Sequence, residues 1–226
     1  MTSYTFYFAG ELFSQKHLIG NALLADSILE ASKEKFVPIL PQDLEFRSVH
    51  PKAIRDQDIL SLLQCDLALF NFDGPELDSG TVVEFMFAKF ADIPSVILRT
   101  DFREGGDQDG GGDPWNLMCS FYPRTKTVLY PCLESSVAAG HKRSSRFSAE
   151  TAKANLQAQK AAISLTAKKV IEGFESVLTE PPVLTQPTAE TVYQYLQKMP
   201  NFDSSEEEVN ELLQNALEKK QKKGLL

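Results

Sequence analysis

Cysteine, histidine and long apolar runs are all scarce in this sequence. Its 226 residues include three cysteines and three histidines. Cys65, Cys119 and Cys132 lie far apart and form no CxxC or Cys/His spacing, which argues against a disulfide scaffold or a structural metal site. No apolar run approaches the ~20 residues that a membrane span needs. The first ten residues lack the basic and apolar regions of a secretory signal, so we expect a soluble, cytoplasmic protein with no membrane partner.

Basic residues are also in short supply. The chain has 23 Lys and Arg against 31 Asp and Glu, a formal net charge of −8. A strongly acidic chain repels phosphate backbones, so polymeric nucleic acid is not an expected partner. Single nucleosides carry no backbone charge and remain compatible with this balance. With 42% hydrophobic residues the composition is that of an ordinary globular protein.

Short β-prone runs alternate with segments of helical periodicity over residues 4–131. This alternation predicts a βαβ series and an α/β fold with a doubly wound, mostly parallel five-stranded sheet. Ligands in such sheets bind beyond the carboxyl ends of the strands. The strands are predicted at 5–10, 36–40, 66–72, 95–98 and 127–130, and the helices between them at 15–35, 51–64 and 79–90.

The character of the chain changes after Pro131. A long helix is predicted over 149–178, and a linker with three prolines follows over 179–187. Two further helices are predicted over 188–199 and 204–223, the second beginning with a capping box. The sequence therefore predicts one domain over 1–133 and a C-terminal helical extension over 134–226.

The segment 73–84 is the densest candidate for chemistry. It follows a buried strand and opens a helix, with Asp78 near the helix N-cap and Glu84 among apolar neighbours. Two carboxylates that converge on a pocket are what glycosidic-bond chemistry requires. The same spacing also fits a purely structural arrangement, in which Asp78 caps the helix and Glu84 faces solvent.

Four stretches of the chain resemble the nucleoside 2-deoxyribosyltransferase family. The segment 73–84 resembles its central motif, and 7–13 its opening strand and turn, although Glu11 stands where many members have proline. Residues 97–103 resemble the stretch after its fourth strand, and 116–118 its Asn-Leu-Met stretch. The four lie in the family's order within residues 4–131.

The resemblance implies a flavodoxin-like or Rossmann-like enzyme that transfers 2-deoxyribose between nucleobases. The reaction would be ping-pong through a covalent glycosyl-enzyme, with a nucleoside donor, a free nucleobase acceptor and no metal or organic cofactor. Glu84 takes the position of the nucleophile, Asp78 that of the carboxylate that binds sugar hydroxyls, and Tyr7 that of the tyrosine that orients the nucleophile. Asn116 matches an asparagine that reaches the sugar from a neighbouring subunit, which implies a homo-oligomer, a dimer or higher.

Family members also use an aspartate in the second helix to exchange a proton with the base. Both Asp56 and Asp58 are available here, and the spacing back from Asp78 favours Asp58 without excluding Asp56. A carboxylic acid at either position could protonate a departing base. The motifs that carry the resemblance supply the other expected substrate-binding residues, namely Gly10, Phe13, Asp73, Gly74, Gly80 and Met118.

Two alternatives remain open from the sequence. A hydrolase of the same superfamily would release free base from nucleosides or nucleoside 5′-monophosphates, with water in place of the acceptor base. A phosphate pocket rich in serine or arginine would be expected after its first strand, and residues 11–14 contain one serine and no arginine. The other alternative is a non-catalytic nucleotide-binding module, which would bind nucleosides without turnover.

Overall fold

A computed structural model describes residues 2–44, 50–103, 112–140 and 148–226. The described residues form a five-stranded sheet in the order β2-β1-β3-β4-β5. Every neighbouring pair of strands is parallel. The strands are β1 (Tyr4–Ala9), β2 (Phe36–Ile39), β3 (Leu67–Asn71), β4 (Ser95–Arg99) and β5 (Thr125–Leu129).

Helices cover both faces of this sheet, which confirms the predicted doubly wound α/β fold. Within the described part of the chain they are α1 (Gln15–Ala31), α2 (Pro41–Leu44), α3 (Pro51–Gln64), α4 (Ser79–Phe90), α5 (Cys132–Ala138), α6 (Ala149–Val177), α7 (Gln186–Lys198) and α8 (Glu206–Lys222). A single turn of 3-10 helix spans Leu117–Cys119. None of the described helices combines the length and apolarity that crossing a membrane requires.

Side-chain alternation along β1 divides the interior into two cores. Phe6 and Phe8 belong to a core that contains residues of α1 and α6. Tyr7 and Ala9 point to the opposite face, where the core contains residues of α3, α4, α7 and α8. All four β1 side chains are at most 2% exposed, as expected for a central strand of a parallel sheet. The face that receives Tyr7 is therefore the face on which α3 and α4 lie.

The helix α6 is an integral cover of the sheet. Its Phe174 is fully buried, with ring centroids 5.0 Å from both Phe6 and Phe36. One residue earlier, Gly173 lies so near the sheet that an added Cβ would be 3.0 Å from the Val96 Cγ2 atom. The predicted extension of 134–226 thus supplies part of both cores, and its residues 141–147 lie outside the described residues.

The observed elements differ from the predicted ones mainly at their ends. The strand β5 begins at Thr125, two residues before the predicted start, and α5 was not predicted. The linker that was predicted over 179–187 ends at Thr185 in the structure, because Pro187 lies in the first turn of α7. In that turn the missing N–H of proline costs no hydrogen bond. At α8 the predicted capping box is confirmed, with Ser205 and Glu208 as its two partners.

Candidate active site

A hydrogen bond between Tyr7 and Glu84 joins β1 to α4. The Tyr7 hydroxyl donates to Glu84 Oε1 over 2.6 Å. Tyr7 is fully buried, and Glu84, half-buried one and a half turns into α4, faces it. A short hydrogen bond from a buried donor to a carboxylate fixes the orientation of the carboxylate. Tyr7 and Glu84 therefore form an ordered pair inside the protein.

The environment keeps Tyr7 a hydrogen-bond donor. Burial first, and then the nearby carboxylates of Glu84 and Asp58, raise the pKa of Tyr7 well above its ordinary value of 10.0. All three effects disfavour the phenolate, since a second negative charge would be created in a desolvated site. The hydroxyl consequently stays protonated at any pH at which the protein would be assayed.

Glu84 lines a cavity of about 680 Å³ between α3 and α4. Asp58, from the second turn of α3, lines the same cavity, and so does Arg55. The wall of this cavity has a few polar side chains and is otherwise mainly apolar, which is a common composition of small-molecule sites. The apolar wall is formed by Pro51, Ile54, Ile59, Val83, Phe87, Met199 and Pro200.

Asp78 caps the helix that carries Glu84. Its Oδ2 atom accepts hydrogen bonds from the Thr81 N–H over 2.8 Å and from the Thr81 hydroxyl over 2.9 Å. These bonds satisfy donors at the start of α4 and hold the first turn in place. Gly80 lines the cavity, and a Cβ at this position would lie 3.2 Å from Asp78 Oδ2. A side chain at position 80 would therefore press on the cap.

The structure separates the two candidate aspartates of α3. Asp58 lines the cavity with Glu84. Asp56 is 5% exposed, pairs with the guanidinium of Arg55, and accepts a hydrogen bond from the Asp203 N–H over 2.8 Å through Oδ2. Its carboxylate thus holds the connection between α7 and α8. Of the two aspartates, it is Asp58 that the fold brings to Glu84.

Three further residues of the predicted site shape the carboxyl edge of the sheet. Asp73 Oδ1 accepts hydrogen bonds from the N–H groups of Thr100 and Asp101 over 2.5 and 2.8 Å, which ties the end of β3 to the end of β4. Gly10 leaves room for β3, because a Cβ there would lie 3.1 Å from the Asn71 Cβ. Gly74 has a φ of +105°, a backbone conformation that favours glycine.

Asn116 and Met118 line a second cavity, of about 710 Å³, together with Gly74. Asn116 Oδ1 accepts a hydrogen bond from the Met118 N–H over 3.0 Å and so caps the 3-10 turn. Ser79 and Val83 line both cavities, which places the two on either side of the first turns of α4. Phe13 is 77% exposed and is not among the described residues that line either cavity.

Most of the wall of the Glu84 cavity was not predicted from the sequence, and two of its residues come from the C-terminal extension. Met199 and Pro200 follow α7, well beyond the motifs that resemble a known family. Neither their composition nor their spacing signals a ligand, because their place in the cavity depends on long-range packing of α7. In the described part of the chain, His, Cys, Asp and Glu side chains form no group of three or more that could hold a metal ion.

Comparison with family models agrees with the motifs. The family model described as nucleoside 2-deoxyribosyltransferase matches residues 6–118. Among solved structures, the chain is similar to a conserved protein from Enterococcus faecalis V583, with 34% identity, 48% of this chain and 70% of that chain covered, and a TM-score of 0.42.

Two solved structures of 2-deoxyribosyltransferases are also similar. The enzyme from Leishmania mexicana shares 23% identity over 60% of this chain and 95% of that chain, with a TM-score of 0.45. The enzyme from Bacillus psychrosaccharolyticus shares 15% identity over 51% of this chain and 79% of that chain, with a TM-score of 0.40. No curated protein matches the chain. Because the family model spans half of the 226 residues, and because the predicted motifs occur within that half, this chain belongs to the nucleoside 2-deoxyribosyltransferase family.

Proposed function

We propose that this protein transfers 2-deoxyribose from a nucleoside to a free nucleobase through a covalent intermediate on Glu84. The observation that carries the proposal is the 2.6 Å hydrogen bond from the Tyr7 hydroxyl to Glu84, at a cavity that Asp58 also lines. A carboxylate held by a neutral donor and facing an apolar cavity has the position and chemistry of a nucleophile. Membership of the family supports the same assignment.

In the first half of the proposed reaction, the Glu84 carboxylate attacks C1′ of the bound nucleoside. A bond forms between the carboxylate oxygen and C1′, and the bond from C1′ to the base nitrogen breaks, with its electron pair leaving on the base. Asp58, as a carboxylic acid, donates a proton to the base as it departs. A second base then attacks C1′, releases Glu84 and returns a proton to Asp58, so the reaction is ping-pong.

The negative charge of Glu84 suits this transition state. Positive charge develops at the anomeric carbon as the base leaves, and the Glu84 carboxylate, which lines the cavity, stabilises it. Asp78 uses Oδ2 to cap α4, and in our proposal its other oxygen, Oδ1, accepts a hydrogen bond from a sugar hydroxyl. Gly80 keeps the space beside this carboxylate open.

The direct test is chromatography of the purified protein with deoxyinosine or thymidine, with and without free adenine. Transfer predicts that deoxyadenosine is formed when adenine is present. Release of free base at the same rate without adenine would instead identify a hydrolase. Absence of any product with nucleosides and with their 5′-monophosphates, despite measurable binding, would overturn the proposal in favour of a binding module.

Replacing Tyr7 by phenylalanine tests the orienting role of its hydroxyl. The variant keeps the ring in the core but loses a hydrogen bond to a charged group, and such bonds contribute about 1.5–3 kcal/mol. We expect kcat to fall about 10- to 100-fold. The melting temperature should also fall, by about 3–12 °C, because the same bond contributes to folding stability. Because the Tyr7 hydroxyl stays protonated well above its ordinary pKa of 10.0, the alkaline limb of the pH profile should be the same in both proteins up to that pH. A variant with the kcat of the wild type would remove Tyr7 from the mechanism.

A further inference from the structure

The connection between α7 and α8 forms part of the wall of the Glu84 cavity. Met199 ends α7 as its C-cap residue, and Pro200 follows it. Both line the cavity that contains Glu84 and Asp58. Pro200 is buried, whereas 41% of Met199 is exposed, as expected for a side chain at the mouth of a cavity. The helical extension therefore reaches the candidate active site within the same chain.

Packing of α7 fixes the position of this wall. Ala189, Tyr193 and Leu196 of α7 are at most 3% exposed and belong to the core that also contains Tyr7. The Tyr193 hydroxyl lies 3.4 Å from the carbonyl oxygen of Ala91, at the end of α4. The helix that ends at Met199 is thus held against the helix that carries Glu84.

Polar contacts from α3 hold the other end of the same connection. The Asp203 N–H donates to Asp56 Oδ2 over 2.8 Å, and the guanidinium of Arg55 donates to the Asn201 carbonyl over 3.3 Å. Lys52 forms an ion pair with Asp203. Asp56 is therefore a positioning residue in this structure: it keeps residues 199–203 against the helix that presents Asp58.

We propose that Met199 and Pro200 form the contact surface for the nucleobase, and that Met199 sets which bases fit. The inference deepens the proposed function and rests on it for the identity of the ligand. A nucleobase is a flat heterocycle that needs apolar contact on its faces, and the thioether of methionine makes favourable contacts with aromatic rings. Asp58 lines the same cavity, so a base against Met199 would have its proton donor close by.

Two substitutions at Met199 distinguish the effect of losing its contact with the base from the effect of reducing the volume of the cavity. Met199→Ala removes the contact, and Met199→Trp fills the mouth of the cavity. Tyr195→Ala is the matched control, since Tyr195 lies one turn earlier on α7, is 64% exposed and is not among the residues that line the cavity. Dissociation constants for adenine and for thymine are measured by calorimetry on the four proteins, together with kcat and KM for transfer.

We expect Met199→Ala to weaken adenine binding about tenfold, which corresponds to about 1.4 kcal/mol. KM for the base should rise to a similar extent while kcat changes less than threefold. Met199→Trp should weaken adenine binding more than thymine binding, because a purine needs more of the cavity. Tyr195→Ala should leave both constants unchanged.

Base binding tests the role of Met199, and sugar transfer tests the proposed reaction. Adenine binding that is equal in the wild type, Met199→Ala and Met199→Trp overturns the role of Met199, whatever the turnover. The same holds for a wild type that binds neither base. Binding that depends on Met199 in a protein that transfers no sugar supports the contact surface and overturns the proposed reaction instead.

Discussion

Substitution of Glu84 by glutamine is expected to lower the rate of deoxyribosyl transfer by at least about 10⁴-fold, the scale on which loss of a catalytic nucleophile acts. Glutamine has almost the same shape and can still accept a hydrogen bond from Tyr7, but its amide cannot form a stable ester with C1′. The fold should survive, because the half-buried side chain loses only its charge. Chromatography of the transfer reaction measures the loss, and circular dichroism checks the fold.

Mass spectrometry provides an independent measurement of the same step. Wild-type protein mixed with a deoxynucleoside alone and then denatured should carry one added 2-deoxyribosyl group, and Glu84→Gln should carry none. Glu172→Gln is the control, since Glu172 lies exposed on α6, the helix that covers the opposite face of the sheet. If Glu84→Gln transferred deoxyribose at a rate within tenfold of the wild type, Glu84 would not be the nucleophile.

Replacing Phe174 by alanine is expected to lower the free energy of unfolding by about 3–5 kcal/mol, as for other buried phenylalanines. Phe174 is fully buried between the rings of Phe6 and Phe36, so the substitution leaves a hole that spans α6, β1 and β2. Native domains are stable by only about 5–15 kcal/mol, and such a loss is a large share of the total. Chemical denaturation followed by circular dichroism measures it.

The control for this variant lies on the same helix. Leu156 on α6 is 65% exposed, so Leu156→Ala should change the free energy of unfolding by less than about 0.5 kcal/mol. A loss below about 1 kcal/mol for Phe174→Ala would mean that α6 adds little to the sheet. The helical extension would then be a separable addition to the family domain rather than part of its core.

The parallel sheet could be predicted because its central strands are apolar on both faces. The run that contains β3 is almost free of polar residues, and the observed strand, Leu67–Asn71, lies within the predicted one. The edge strand β5 was harder to locate: of its five residues only Val128 is buried, and Thr125 and Lys126 carry no apolar signal. Strand ends at a sheet edge are specified by pairing with β4, which sequence patterns do not contain.

Site residues could be predicted where their role depends on neighbouring residues in the sequence, and could not be predicted where it depends on tertiary packing. Asp78 could be placed at the start of α4 because an N-cap is recognised from neighbouring residues. Which of Asp56 and Asp58 lines the cavity of Glu84 was not evident from the sequence, since both lie in one turn of α3 and differ only in what surrounds them. No sequence pattern pointed to Met199, because it is far from Glu84 along the chain. The two residues are brought to the same cavity by the packing of α7 on the core.

The position of Tyr7 in the middle of the sheet has a consequence for folding kinetics. Its strand, β1, pairs with β3, and α1, β2 and α3 lie between the two strands in the sequence. The neighbouring residue, Phe6, packs against Phe174 near the end of α6, which is still farther along the chain. Local helices form within about a microsecond, whereas parallel pairings between distant segments must first close long loops. The Tyr7–Glu84 hydrogen bond links residues that are 77 positions apart. We therefore expect the Tyr7–Glu84 pair to form late in folding, after most of the helices, so that any activity recovered on refolding requires the completed sheet and not its helices alone.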